Sequence, residues 1–226
     1  MESNTRTIIN YSTWERRSNF EFFKNFINPS WSVTCDVECT AAFESSKKEG
    51  RSFFLKYLYA ILRAANEIPE LRYRIEKNEN GEEIIVLYKN VSVITPINVG
   101  ENGRFHSVNI PYNKDFGKFC KKASEIIEKI PTETDPYAAE NQVNGSKHKF
   151  MDMILVAASP GLNFSSMTCT QSGPHGSEKP LINVGKATKK EGKIYIPVFI
   201  SVHHGLCDGY HVTKFYQKTE EYLKEL

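Results

Sequence analysis

The sequence predicts an α/β fold of two layers, a mixed β-sheet covered on one face by helices. Two kinds of segment predict it. Stretches of alternating polarity, such as Trp31 to Thr40, are interspersed with apolar stretches of helical length, such as Phe53 to Asn66. The two kinds do not follow the regular βαβ order of a doubly wound sheet. With 226 residues, 40% of them hydrophobic, the chain can bury one sizeable core, so a single domain over residues 1–226 is expected.

In chain order, Ser12-Thr13-Trp14-Glu15 has the spacing of a capping box and predicts a helix from Thr13 to Lys24. Next comes a half-buried strand, with Trp31, Val33, Cys35, Val37 and Cys39 on one face and Ser32, Thr34, Asp36, Glu38 and Thr40 on the other. Phe53 to Asn66 reads as a mostly apolar helix halted by Pro69. Glu83 to Tyr88, Val91 to Val99 and Arg104 to Ile110 read as strands, with Asn80-Gly81 as a hairpin turn. Asn113 is expected to cap a helix from Lys114 to Lys129, which Pro131 stops. Phe150 to Ala158 and Phe164 to Thr170 read as strands joined through Pro160-Gly161. Lys193 to His203 is a strand that Pro197 interrupts, as at a bulge or a sheet edge. The last helix begins near Asp208-Gly209 and carries Val212, Phe215, Tyr216 and Leu223 on one buried face.

Charge and cysteine usage narrow the function. The formal net charge is only +2, and the pairs Lys47-Lys48, Lys121-Lys122 and Lys189-Lys190 are scattered rather than gathered into a nucleic-acid footprint. Five cysteines without a CxxC fit neither a disulfide framework nor a zinc ribbon. No apolar run approaches the ~20 residues of a membrane span, and Met1 to Ile9 lacks the apolar region of a signal peptide. The expectation is a cytoplasmic protein with reduced thiols and no metal.

The segment that carries chemistry is Ser201-Val202-His203-His204-Gly205-Leu206-Cys207-Asp208-Gly209. An apolar strand delivers two histidines into a turn, and an aspartate then opens a helix. Adjacent strand residues point to opposite faces, so one histidine faces a cleft while the other packs. Histidine suits general-base work because the imidazole titrates near neutral pH. An acyl transfer from an activated thioester needs no covalent enzyme nucleophile, only a base for the acceptor's proton and a donor for the tetrahedral oxyanion. His204, Asp208 and His211 also read as a metal set, but two glycines break the helical spacing and no second ligand cluster accompanies them.

The stretch His-His-x-x-x-Asp-Gly resembles the signature of coenzyme A-dependent acyltransferases, and His203-His204-Gly-Leu-Cys-Asp-Gly-Tyr-His-Val212 is most similar to that of the chloramphenicol acetyltransferases. Trp14 to Phe23 resembles the first helix of that family, and Phe105 to Tyr112 a strand end of it; the similarity runs from about residue 10 to residue 225. The resemblance implies His204 as the base and an ion pair between Asp208 and Arg16. It implies an acceptor pocket lined by Phe22, Phe23, Ile27, Trp31 and Phe105, each of which also reads as ordinary core packing. Lys186 matches a lysine of the family's coenzyme A tunnel, although a surface lysine explains it equally well. The implied co-substrate is acetyl-CoA, with no permanently bound cofactor. The implied assembly is a homotrimer with active sites between subunits.

The sequence departs from the family at the oxyanion. The family serine falls on Ala157, and Gly161 replaces a tryptophan just beyond it. Ser159 shares a face with Ala157 but lies about 6.6 Å further along an extended strand. Asn183 stands where the family has a threonine that holds a water, and its amide offers a donor there. Three functions remain open on sequence: acetylation of chloramphenicol, the same chemistry on another small alcohol or amine, and a catalytically weak homologue that binds coenzyme A or a small ligand.

Overall fold

Segment polarity sorts the chain into layers. A computed structural model describes residues 6–100, 103–130, 136, 151–170 and 179–226. Among them, strands β1 (Arg6–Ile8), β3 (Tyr73–Lys77) and β4 (Glu83–Tyr88) form a small antiparallel sheet in the order β1-β4-β3. Strands β2 (Ser30–Glu38), β5 (Ser92–Asn98), β6 (Phe105–Ile110), β7 (Met153–Ala158), β8 (Leu181–Val184) and β10 (Lys193–His203) form the main sheet, ordered β2-β10-β8-β7-β5-β6. A seventh strand, β9 (Thr188–Lys190), pairs with β10. The sheet is mixed: β7 runs parallel to both β5 and β8, and the remaining pairs are antiparallel.

Helices α1 (Arg17–Phe23), α2 (Thr40–Glu49), α3 (Phe53–Glu67), α4 (Phe116–Ile127) and α5 (Gly209–Glu225) complete the described elements, with a 3₁₀ turn at Pro69–Leu71. Alternate residues of the strands, including Ile196, Val198, Ile200 and Val202 of β10, meet Leu58, Ile61 and Leu62 of α3 and Phe215 and Leu223 of α5 in one core. Full burial of such a side chain contributes about 1.5–3 kcal/mol. Lys56 is buried in α3 yet satisfied: its Nζ donates to Ser45 Oγ and to the Leu226 carbonyl, each at 2.7 Å. It ties α2, α3 and the end of α5 together. A second cluster of Trp14, Phe20, Tyr73, Ile75, Ile85 and Leu206 seats α1 on the small sheet.

Several sequence expectations change for identifiable reasons. The first helix starts at Arg17, not Thr13, and has no side-chain cap. Asn10 Oδ1 takes the Ser12 amide and hydroxyl in an Asx turn, and the apolar Trp14 is drawn into the second cluster. The fourth helix is capped by Asp115, whose side chain accepts from Lys118 N at 2.7 Å; Asn113 instead holds the Asp115 amide. No strand forms over 164–170. Pro197 lies in the second strand of the sheet, not at an edge, and pairs with Asp36. Its carbonyl accepts from Gly185, so the nitrogen that cannot donate faces the gap between the end of β8 at Val184 and the start of β9 at Thr188. The short β3, β8 and β9 and the polar α2 carry too few periodic residues to stand out in the sequence. Pro131 and Phe150 lie outside the described residues.

Asn66 of α3 imitates a strand edge. Its amide donates to the Val91 carbonyl at 2.9 Å and its oxygen accepts from Val91 N at 2.8 Å, both buried. Asn66→Leu leaves both backbone groups unsatisfied and should lower stability by about 2–3 kcal/mol, measured as a reduced midpoint in urea at neutral pH.

Candidate active site

The inner strand β10 ends at His203 and turns sharply into α5. The turn is held by Leu206 N and Cys207 N, which donate to the His203 carbonyl at 3.0 and 2.9 Å. His203 is fully buried: its Nδ1 accepts from Gly205 N at 3.0 Å and its ring packs on Phe20. Gly205 is required by space, because a Cβ there would stand 2.9 Å from His203 Cε1 and 3.0 Å from Phe20 Cα.

His204 projects differently. Its amide donates to the Pro29 carbonyl at 2.8 Å, and the half-buried imidazole stacks on Phe23 with ring centroids 4.1 Å apart and planes 7° from parallel. Trp31 flanks it at 5.3 Å and anchors the turn, donating from Nε1 to the Cys207 carbonyl at 3.0 Å. His204 Nδ1 is buried without a hydrogen-bond partner among the described residues. Beside it Phe22, Phe23 and Phe26 make mutual ring contacts near 5 Å, and Phe22, Phe26 and Ile27 are exposed. Phe26 was not foreseen; its place just past the helix end obscured its spacing to Phe22 and Phe23.

Asp208 is the N-cap of α5 and reaches across to α1. Arg16 Nη1 donates to Asp208 Oδ2 at 2.9 Å, and Arg16 Nη2 reaches the His204 carbonyl at 3.4 Å. The Arg16 side chain is 8% exposed and that of Asp208 28%. Partial burial pushes the Asp208 carboxyl up, but Arg16 and His211 outweigh it and hold the group below the usual carboxylate range. His204, Asp208 and His211 do not converge as ligands, because His204 stacks on Phe23 while His211 turns toward Glu70.

The remaining sequence-predicted residues lie elsewhere. Asn183 of β8 pairs with Ala157 of β7 and Phe199 of β10, five residues before His204, so about 17 Å separates them along the strand. Asn183 is 5% exposed on the sheet face away from the helices, and its Oδ1 has no hydrogen-bond partner among the described residues. Ser159 and the exposed Lys186 follow β7 and β8 in the same direction. Phe105 starts β6, four strand spacings or about 19 Å from β10. Gly185 lets this region close up, since a Cβ would stand 2.7 Å from the Leu162 carbonyl and 2.8 Å from Phe164. Within one chain, His204 with Phe22, Phe23, Ile27 and Trp31 forms one half. Asn183, Ser159, Lys186 and Phe105 are not brought to it.

A helix-backed mixed sheet whose inner strand ends in a histidine pair, with an aspartate capping the next helix, is the arrangement of an acetyltransferase. The profile of the chloramphenicol acetyltransferase family matches residues 4–220. The chain belongs to that family. It is 26% identical to a chloramphenicol acetyltransferase of Proteus mirabilis, over 96% of this chain and 94% of the relative, and 26% identical to one of Staphylococcus aureus, over 98% of each. A solved chloramphenicol acetyltransferase superposes with a TM-score of 0.91 at 45% identity, covering 97% of this chain and 100% of the other. The dihydrolipoamide acetyltransferase of Azotobacter vinelandii shares the fold at a TM-score of 0.58 and 14% identity, over 92% of this chain and 86% of that one.

Removal of Asp208 strands the Arg16 charge. For a fully buried pair the cost is about 3–5 kcal/mol; with Asp208 partly exposed, about 2–3 kcal/mol is expected for Asp208→Ala at neutral pH. A carboxyl with a lower pKa in the folded state binds its proton more readily when unfolded. Its stabilisation is therefore present above about pH 4 and is lost as pH falls through the depressed folded value. Urea midpoints of wild type and Asp208→Ala should accordingly differ most at neutral pH and converge in acid below that range.

Proposed function

We propose that the protein transfers the acetyl group of acetyl-CoA to a hydroxyl of chloramphenicol, with His204 as general base. The observation that carries this reading is the half-buried imidazole of His204, fixed at the strand end by Pro29, Phe23 and Trp31 beside an exposed aromatic surface. Aromatic side chains suit a nitrophenyl-bearing acceptor. His204 takes the hydroxyl proton as the oxygen attacks the thioester carbonyl, giving a tetrahedral oxyanion. The intermediate collapses with cleavage of the C–S bond, and the coenzyme A sulfur receives the proton from the imidazolium. The products are the acetyl ester and free coenzyme A, with His204 neutral again. The sequence similarity of the family's members along the whole chain supports the same donor and acceptor here.

The Arg16–Asp208 pair acts in this scheme by holding the turn, since Arg16 contacts the His204 carbonyl. Binding energy invested in such positioning lowers the barrier by fixing the reacting groups. Asn183 is the oxyanion donor in this reading: it is buried, lies directly across from Ala157 and carries an amide. The distance between the two halves of the site supports a homotrimer in which His204 of one subunit faces Asn183, Phe105 and Lys186 of the next, with Lys186 near coenzyme A. Ala157 favours the second reading, the same fold acting on another small alcohol or amine or binding ligand with weak turnover, because no hydroxyl stands at that position.

His204→Ala should abolish acetyl transfer, by at least about a hundredfold in kcat/KM, while sedimentation still reports a mass near three times 25.9 kDa. A folded variant that retains most of its kcat/KM removes His204 as the base, and a fully active monomer removes the shared site. Asn183→Ala should lower kcat about tenfold or more with little change in KM for either substrate, read by thiol release from acetyl-CoA. An unchanged kcat reassigns the oxyanion donor.

A further inference from the structure

One histidine in this region has no part in the scheme above. His211 lies in the first turn of α5, with its side chain only 13% exposed. Its Nδ1 stands 2.9 Å from Asp208 Oδ1 and accepts from Asp208 N at 3.2 Å, closing the capping box of α5. Its Nε2 stands 3.4 Å from Glu70 Oε1, and the Glu70 side chain is only 12% exposed. The ring therefore separates two carboxylates, one on the 3₁₀ turn and one at the helix start. The other groups around it are the ring of Tyr210 at 5.5 Å, Lys214 over that ring, Arg16 beyond Asp208 and Arg72 in the electrostatic field of Glu70.

Nδ1 faces both the amide and Oδ1 of Asp208, at 3.2 and 2.9 Å, and Nε2 faces Glu70. The ring then closes the Oδ1 side of Asp208, where Tyr210 N also donates at 3.1 Å. Only Oδ2 is left to meet Arg16. Arg16 in turn contacts the His204 carbonyl. The chain Glu70–His211–Asp208–Arg16 thus ends on the backbone of the residue read as the base.

We infer that His211 is a positioning residue for acyl transfer, which fixes the rotamer of Asp208 so that Arg16 holds the His204 turn; this rests on the reading of His204 as the base. An ordinary helix cap would stabilise α5 without influencing His204. The two roles separate by substitution on the purified full chain. Asparagine places an oxygen near the Nδ1 position and keeps an acceptor for the Asp208 amide, glutamine places an amide near Nε2 and keeps only the Glu70 side, and phenylalanine keeps neither.

The proposal expects His211→Phe to lose about tenfold in kcat with KM for acetyl-CoA and chloramphenicol within about twofold. His211→Asn should recover most of that loss, and His211→Gln should not. A second readout needs no acceptor: the rate at which diethyl pyrocarbonate modifies His204, followed by peptide mass spectrometry, should change about threefold or more in His211→Phe and return in His211→Asn. If wild type turns over no chloramphenicol, the functional reading fails and the modification rate alone decides the role of His211. Retention of half or more of kcat with an unchanged modification rate in His211→Phe overturns the proposal. So does an equal loss in all three variants that tracks their melting temperatures.

Discussion

The contact on which the site depends is the ion pair between Arg16 and Asp208, which joins residues 192 positions apart in sequence. Arg16 precedes α1, and Asp208 caps α5 just past the end of the inner strand β10. The pair therefore closes the chain's first helix onto its histidine turn. Its value is geometric more than energetic. Replacing a buried pair by apolar residues often costs little stability, but apolar side chains would offer no donor to the His204 carbonyl. The neighbouring His211 and Glu70 extend the same line of polar contacts. Burial of the arginine and partial exposure of the aspartate divide the desolvation cost unequally between them.

Two cores flank this pair and make it rigid. The larger packs the helices on one face of the main sheet, so the direction of β10 is fixed by Ile196, Val198, Ile200 and Val202. The smaller gathers Trp14, Phe20, Tyr73, Ile75, Ile85 and Leu206, which fixes α1. The histidine turn runs between them. His203 belongs to the packing, with Phe20 against its ring, whereas the half-buried His204 stacks on Phe23 and its Nδ1 meets no hydrogen-bond partner among the described residues. A strand end between two rigid bodies is well suited to present one side chain with little freedom.

Residues that break local rules mark where tertiary demands prevailed. Pro197 is tolerated in an inner strand because its missing donor falls in the gap between β8 and β9. Gly205 and Gly185 are required by close approach rather than by turn conformation. Asn183 places a buried amide where the strand pattern would allow an apolar residue.

The long periodic segments, α3, α5, β2 and β10, were legible in the sequence because their apolar spacing is sustained over nine or more residues. The motif around His204 and Asp208 was legible for a related reason: strand, turn and helix start are local features with local signals. The start of α1 was not, because Asn10 and the second cluster compete with the capping pattern at Ser12. Nor were β3, β8 and β9, whose few residues hold too little periodicity. The reach from Arg16 to Asp208 entered through resemblance, and only packing of α1 against the turn sets its 2.9 Å geometry. The separation of His204 from Asn183 and Phe105 was decided by strand order and register alone. The sequence by itself determined the layers and the chemistry of the turn, because both arise from neighbours in the chain. Which residues meet across the sheet was left to tertiary structure, because hydrogen-bond register carries no signature in any single strand.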